Sequence, residues 1–325
     1  MRCTRRTFTV AAVVALLAAT AACGGSDDNG KPSASGSGGT TTVKLGLIPI
    51  VDVAPVYLGQ KKGFYEKQGL KLAFTQAQGG AAIVPGVISG QFQFGFSNAT
   101  SLMVAQSKGV PVKAVANGVG STGKDGADFG AVVVKKGSPV KTAKDLEGRS
   151  VAVNTLKNIN DTTVRESVRK AGGDPDKVKF VELAFDQMPA ALDKGQIDAA
   201  QVVEPALATV KAQGGTVIAS NFVDTAPDLT VALYFTAAQY AQQHPDIVKK
   251  FAAATEESLT YANGHPDEVR QIVTSYTKIP QATLDKVVLP AWPAEPNRAS
   301  LDRLAQLGQG DGLFAKTPDL DALLP

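Results

Sequence analysis

Gly63-Phe64-Tyr65-Glu66-Lys67-Gln68-Gly69-Leu70 decides how this chain folds, together with what stands on either side of it. Residues 43–48, Val-Lys-Leu-Gly-Leu-Ile, make an apolar strand-like run, and residues 49–55, bounded by two prolines, read as a loop. Residues 71–75 return to strand character. The whole is one strand-loop-helix-turn-strand unit. Gly63 and Gly69 punctuate it, since glycine enters left-handed turns without steric penalty.

The same alternation runs on through two thirds of the chain. Residues 72–76, 92–96, 112–116, 131–134, 151–153, 178–183, 199–203 and 217–219 read as short buried strands. Helical stretches lie between them, at 101–108, 163–171, 188–194 and 205–212. Strands alternating with helices predict parallel sheets with right-handed crossovers. No internal repeat is convincing, although Lys194-Gly195-Gln196-Ile197-Asp198 echoes Ser89-Gly90-Gln91-Phe92-Gln93 and suggests equivalent turns in two lobes. A loop-rich stretch at 118–129 separates a first α/β block from a second at about 133–222, and residues 229–235 return to the first. Beyond about residue 236 the pattern is helical. His244-Pro245-Asp246 and His265-Pro266-Asp267 each open a helix, with proline in the first turn and an acid at the positive helix end.

The ends carry a different kind of information. Arg2, Arg5 and Arg6 precede an apolar run at 10–22, too short for the ~20 residues of a membrane span. The run closes on Thr20-Ala21-Ala22-Cys23, as a cleaved signal peptide does. Paired arginines occur both in twin-arginine signals and in ordinary ones. Residues 24–42 are Gly, Ser, Thr, Asp and Lys with little apolar surface, so they cannot offset their own ordering entropy. The remaining chain of about 283 residues suits two lobes rather than one small core. Removing residues 1–22 takes away three arginines and leaves 30 basic and 30 acidic residues. Nothing in that balance suggests a nucleic-acid partner, which wants a basic face. Cys3 and Cys23 are the only cysteines, so no disulfide is expected in the folded part.

The opening unit resembles that of the periplasmic-type solute-binding proteins that feed ABC importers, in the branch that captures nitrate, sulfonates, taurine or pyrimidine precursors. That branch opens with a strand, a ligand-facing loop and a helix ending in a Gly-Tyr/Phe-Phe/Tyr-x-x-x-Gly-Leu turn, as residues 63–70 do here. Asp145-Leu146-Glu147-Gly148-Arg149-Ser150-Val151 is similar to the branch's "Asp-Leu-Lys-Gly-Lys-x-Val" segment, and Leu192-Asp193-Lys194-Gly195-Gln196-Ile197-Asp198-Ala199 to its "Leu-x-x-Gly-x-Ile-Asp-Ala" segment. The residues before Cys23 resemble a bacterial lipobox, with Thr20 where that motif prefers Leu. The resemblance implies a two-lobed periplasmic binding protein-like α/β fold of type II, with the helical C-terminal segment packed on lobe 1. It implies a signal peptide at 1–22, a tether lipidated on Cys23 at 23–42, lobe 1 at 43–130 plus 223–325, and lobe 2 at 131–222. It also implies a monomeric receptor on the outer face of the membrane, a small-molecule ligand and ABC permease partners. Two alternatives remain open: a pyrimidine-precursor-synthesising enzyme of the same fold, and a sensor for a signalling membrane partner.

In open α/β lobes, ligands bind where loops leave the carboxyl ends of the strands. Four such loops stand out, at 49–55, 97–101, 154–163 and 202–205. The second and third open helices and are rich in hydroxyls and amides. Free backbone N–H groups there would suit an anion or an acceptor, while the same residue types also serve as N-caps. Thr163 and Glu166 have capping-box spacing. Asp52 and Glu204, in loops of opposite lobes, would suit an amine or ring N–H. Otherwise Asp52 is a rim acid and Glu204 fixes the turn before Pro205. Lys157 is a candidate partner for a ligand anion. The expected ligand contacts are Asp52, Val53, Ser97, Asn98, Thr100, Asn117, Thr155, Asn158, Thr162 and Glu204. Relatives that bind pyrimidine precursors carry Asn and His in the first loop, where Ile50 and Val53 stand here, so an organic ligand with an aliphatic portion fits better.

Catalysis finds few candidates. His244 and His265 sit at helix starts, and no His-x-Glu, Cys-x-x-Cys or Gly-x-Ser-x-Gly motif appears. Without a thiol or a placed histidine no metal or cofactor is expected. Trp292, the single tryptophan, reads as packing rather than a ligand contact.

Overall fold

The computed structural model describes residues 40–324. The expected signal peptide, Cys23 and all but the last residues of the tether lie outside the described residues. Thr41 and Thr42, placed in the tether by the sequence, already pair with Leu70 and Lys71.

Ten strands form two sheets of five. They are β1 (Thr41–Leu47), β2 (Leu70–Gln76), β3 (Phe94–Asn98), β4 (Val112–Gly120), β5 (Gly130–Val134), β6 (Ser150–Val153), β7 (Lys179–Glu182), β8 (Ala199–Val203), β9 (Thr216–Ala219) and β10 (Thr230–Ala237). The first sheet has the order β2-β1-β3-β10-β4 and the second β7-β6-β8-β5-β9. Position for position these are the same topology, and the turns at Gly90 and Gly195 lead into the two middle strands, β3 and β8. The echo between those segments therefore marks a repeat that sequence comparison barely registers.

The sheets are mixed, not purely parallel. β1, β2 and β3 run parallel, as do β6, β7 and β8. β10 lies antiparallel between β3 and β4, and β5 antiparallel between β8 and β9. Both odd strands arrive from the opposite lobe, with no helical crossover to force them parallel. The chain crosses between lobes at 121–129 and again at 226–229. The Ser121 N–H donates to Leu229 O at 2.9 Å and ties the two crossings together. The helix Asn221–Thr225 packs on the helix Ile159–Lys170, so the return crossing begins after it and not at residue 223.

In the decisive unit, Gly63 and Gly69 have φ of 80° and 69°, in the left-handed region. Between them, buried Phe64 and Tyr65 turn inward, and the Tyr65 hydroxyl pairs with Thr255 Oγ1 at 3.0 Å. This docks the unit on the helix Pro245–Gly264, where Phe94 and Phe251 stack at 3.9 Å. The helical tail thus completes the core of lobe 1. A second valine-rich cluster, including Val132, Val151, Val164 and Val168, fills lobe 2.

Candidate ligand-binding site

The loop after β1 forms a 3-10 turn at Val51–Val53 before the helix Ala54–Lys61. Its backbone is held from behind. Trp292 Nε1 donates to Asp52 O at 3.0 Å, and the Tyr276 hydroxyl donates to Ile50 O at 3.0 Å. Tyr276 in turn stacks on Tyr57 at 4.1 Å, and Tyr57 packs on Phe74 at 4.2 Å. Trp292 is therefore packing, and it aims the loop. The result is that Asp52 turns inward, 2% exposed, with Oδ1 lacking any partner. Burial pushes its pKa up to about 8; its own backbone N–H opposes this and the charge of Asp128 adds to it. A rim acid would have kept its water, so Asp52 is not at the rim.

Across from Asp52, two helix starts approach each other. Asn98 caps the helix Ala99–Ser107, with Oδ1 accepting from Ser101 N at 2.8 Å. The same oxygen accepts from Ile159 N of lobe 2 at 3.4 Å. The helix Ile159–Lys170 begins four residues earlier than the sequence suggested. Its capping box is Asn158 with Asp161, not Thr163 with Glu166. Thr163 lies inside the helix and donates to Ile159 O at 2.8 Å. Asn158 Nδ2 donates to Asn154 Oδ1 and Thr155 Oγ1, both at 2.7 Å, and Asn160 Nδ2 to Asn154 Oδ1 at 2.9 Å. The amide side chains here thus satisfy each other and the helix start.

These elements enclose a cavity of about 30 Å³ between the lobes. Asp52, Asn98, Asn154 and Asn160 supply its polar wall, and Ile48, Ile50, Phe96, Ile159, Phe185, Val203, Phe222, Val231 and Ala232 its apolar one. That volume holds about two waters, whereas ligand sites run to roughly 300–1,000 Å³. The cleft is closed. Outside it lie grooves of about 350 and 450 Å³, both lined by Pro49, Ile50, Gln76, Phe185 and Asp186. Ile50 from lobe 1 and Phe185 from lobe 2 line all three spaces, so they separate the cavity from the grooves. Widening the cleft there would merge the spaces into one site of ordinary size.

Of the ten expected contacts, Asp52 and Asn98 line the cavity. The others stand behind it in this closed form, for reasons that differ. Val53 is buried at the start of the helix Ala54–Lys61. Ser97 lies under Gly80, where an added Cβ would fall 2.2 Å from Ser97 Oγ. Thr100 is buried with its hydroxyl unpartnered. Asn117 Nδ2 donates to Pro293 O at 2.7 Å and braces the segment leading from Trp292. Thr155 and Asn158 are spent on the cap, and Thr162 Oγ1 on Asn158 O at 2.9 Å. Glu204 accepts from Ala208 N at 2.9 Å and, across the lobes, from Val288 N at 3.1 Å. It holds the start of the helix Ala206–Ala212, after Pro205 rather than before it, and joins the lobes. Burial raises its pKa to about 7 against those two N–H donors and the charge of Lys211. Lys157 is exposed, outside the cavity.

Sequence reasoning passed over Phe185 and the aromatic wall. Phe185 follows β7, so the rule that singled out four loops at strand ends would have reached it had β7 been included. Phe96 and Phe222 carry no local signal, because only the closing of the lobes brings them together. The lobes are also joined by ion pairs: Arg303 Nη2 reaches Glu166 Oε1 at 2.8 Å, and Arg169 pairs with Asp311. His244 and His265 sit at helix starts beside Tyr240 and Tyr261 and do not line the cavity. Among the described residues no group of three His, Cys, Asp or Glu stands close enough to hold a metal, and no helix is long and apolar enough to cross a membrane.

Two lobes of one topology, joined by two crossings and closed over a buried cavity, define a hinged binding-protein architecture. The family model "NMT1/THI5 like" matches residues 50–269, and the chain belongs to that family. It is similar to a putative aliphatic sulfonates-binding protein of Bacillus subtilis (strain 168), 21% identical over 73% of this chain and 70% of the relative. It is also similar to the taurine-binding periplasmic protein of Escherichia coli (strain K12), 27% identical over 63% of this chain and 61% of the relative. The alkanesulfonate-binding protein SsuA from Xanthomonas axonopodis pv. citri bound to MOPS shares the fold, with a TM-score of 0.74, 15% identity, and coverage of 88% and 99%.

Proposed function

We propose that the protein is the extracytoplasmic solute-binding receptor of an ABC importer, closing its two lobes over a small organic solute and presenting it to a membrane permease. The observation that carries this reading is the enclosed inter-lobe cavity, walled by both lobes and holding a buried, unpartnered carboxylate oxygen. The names of the relatives support a sulfonate- or taurine-like solute or another amine- or nitrogen-bearing compound. Binding rather than catalysis accounts for a cavity whose lining includes no histidine, lysine, arginine or cysteine. The receptor acts as a monomer, carried outside the membrane by acyl chains on Cys23 and the tether that follows. Changing Cys23→Ala should then release the folded protein from membranes, because stable anchoring needs more than one acyl chain's worth of burial. The test of the function is a melting screen against sulfonates, amines, nitrate and heterocycles. A true ligand raises the melting temperature by mass action; a complete screen without a shift would remove the receptor reading.

A further inference from the structure

The charge around the cavity separates the two ligand chemistries that the relatives leave open. We infer that the solute is bound through a cationic or N–H-bearing nitrogen, held by the Asp52 carboxylate and enclosed by the rings of Phe96, Phe185 and Phe222, and that a sulfonate or other anionic group is not what the inner site recognises. This rests on the receptor reading and narrows its ligand.

Three independent features point the same way. First, Asp52 Oδ1 is buried without a partner, and no lysine, arginine or histidine lines the cavity to neutralise it. A buried carboxylate lacking a counter-charge is costly, and a ligand cation removes that cost. An anion placed beside it would find no positive side chain in the cavity lining. Second, the helix starts an anion would use are already partly taken by side chains of the protein. Asn98 takes the N–H of Ser101 and approaches that of Ile159, while Asn158 takes that of Asn160. Free N–H groups are what make a helix start attract anions, and these caps reduce their number. Third, aromatic rings present electron-rich faces, which attract ammonium groups when water is excluded. The other titratable groups felt around Asp52 are Asp128, Tyr234 and Tyr276. None of them supplies positive charge. Asp128 is itself held by Ser121 Oγ at 2.6 Å and Thr122 N at 2.9 Å.

The experiment is calorimetric titration of the full-length receptor with matched probes: alkylamines and choline, taurine, and ethanesulfonate. Each is run on the unmodified protein and on Asp52→Asn, with melting as the check on folding. Amine-bearing probes are expected to bind, ethanesulfonate to fail, and Asp52→Asn to weaken amine binding at least tenfold without lowering the melting temperature. A second readout stands even if the variant folds poorly. Near pH 5, binding a cation to the closed, protonated form of the unmodified protein should release up to one proton, seen as a dependence of the heat on buffer ionisation. Ethanesulfonate binding equally to both proteins, with no proton released, would overturn the inference and leave the receptor reading intact. Failure of every probe and of the wider melting screen would take down both.

Discussion

Asp52 should make closure of the empty receptor depend on pH, and the sign follows from its burial. In water a carboxyl titrates near 3.8, whereas in the closed cleft Asp52 titrates at about 8. Between these values the closed form holds a proton that a hydrated Asp52 gives up. Closed-state stability is therefore greatest below about pH 4, falls as pH rises through the window, and levels off above about pH 8. At up to about 1.36 kcal/mol per pH unit, going from about pH 5 to pH 8 disfavours the closed form by roughly 3.5 kcal/mol, or a few hundredfold in the closed-to-open ratio. That figure takes the carboxyl to be fully hydrated when the cleft opens. Gln78 and Gln187 line the outer groove from opposite lobes, so a Gln78→Cys, Gln187→Cys pair in a protein whose Cys3 and Cys23 are replaced accepts two fluorophores. Energy transfer in the empty protein should fall between pH 5 and 8. In an Asp52→Asn background it should stay high throughout. Transfer that does not change with pH, or that changes identically in the Asn variant, would refute the reasoning.

Three further substitutions test the supports of the site. Glu204→Gln leaves one of two backbone N–H groups, Ala208 or Val288, facing a donor, and should cost about 1.5–3 kcal/mol in chemical unfolding. If it melts like the unmodified protein, Glu204 does not join the lobes as described. Asn98→Ala removes the cap of the helix Ala99–Ser107 for about 1 kcal/mol, near 2–4 °C in melting temperature, and also the link to Ile159. Calorimetry should then show weaker ligand binding, while unchanged affinity would make Asn98 a cap alone. Gly80→Ala drives a methyl against Ser97 and should cost about 1–3 kcal/mol by overpacking, measured by urea unfolding; a neutral result would mean the loop yields freely.

The lobe plan was legible because its signals are local. Apolar runs of four to eight residues broken by glycine and proline mark strands wherever the sheet buries both faces, and all ten strands lie at or near such runs. The parallel expectation failed at β5 and β10 because nothing local to those strands says which lobe the chain has just left. The helix start at Ile159 was misread for a similar reason. Asn158 with Asp161 and Thr163 with Glu166 have the same spacing, and only the contact with Asn98 selects the first. Asp52 and Asn98 were legible as loop residues at strand ends. That Asp52 points inward depends on Trp292 and Tyr276, more than 220 residues away in sequence, and such distant supports leave no mark beside the residue they position.

Solution scattering on the ligand chosen by the melting screen shows whether the lobes capture a solute by closing over it. At about pH 9, where closure of the empty cleft is least favoured, adding a saturating amount of that ligand should reduce the radius of gyration and make scattering match the closed form. An unchanged radius with ligand demonstrably bound would contradict capture between closing lobes.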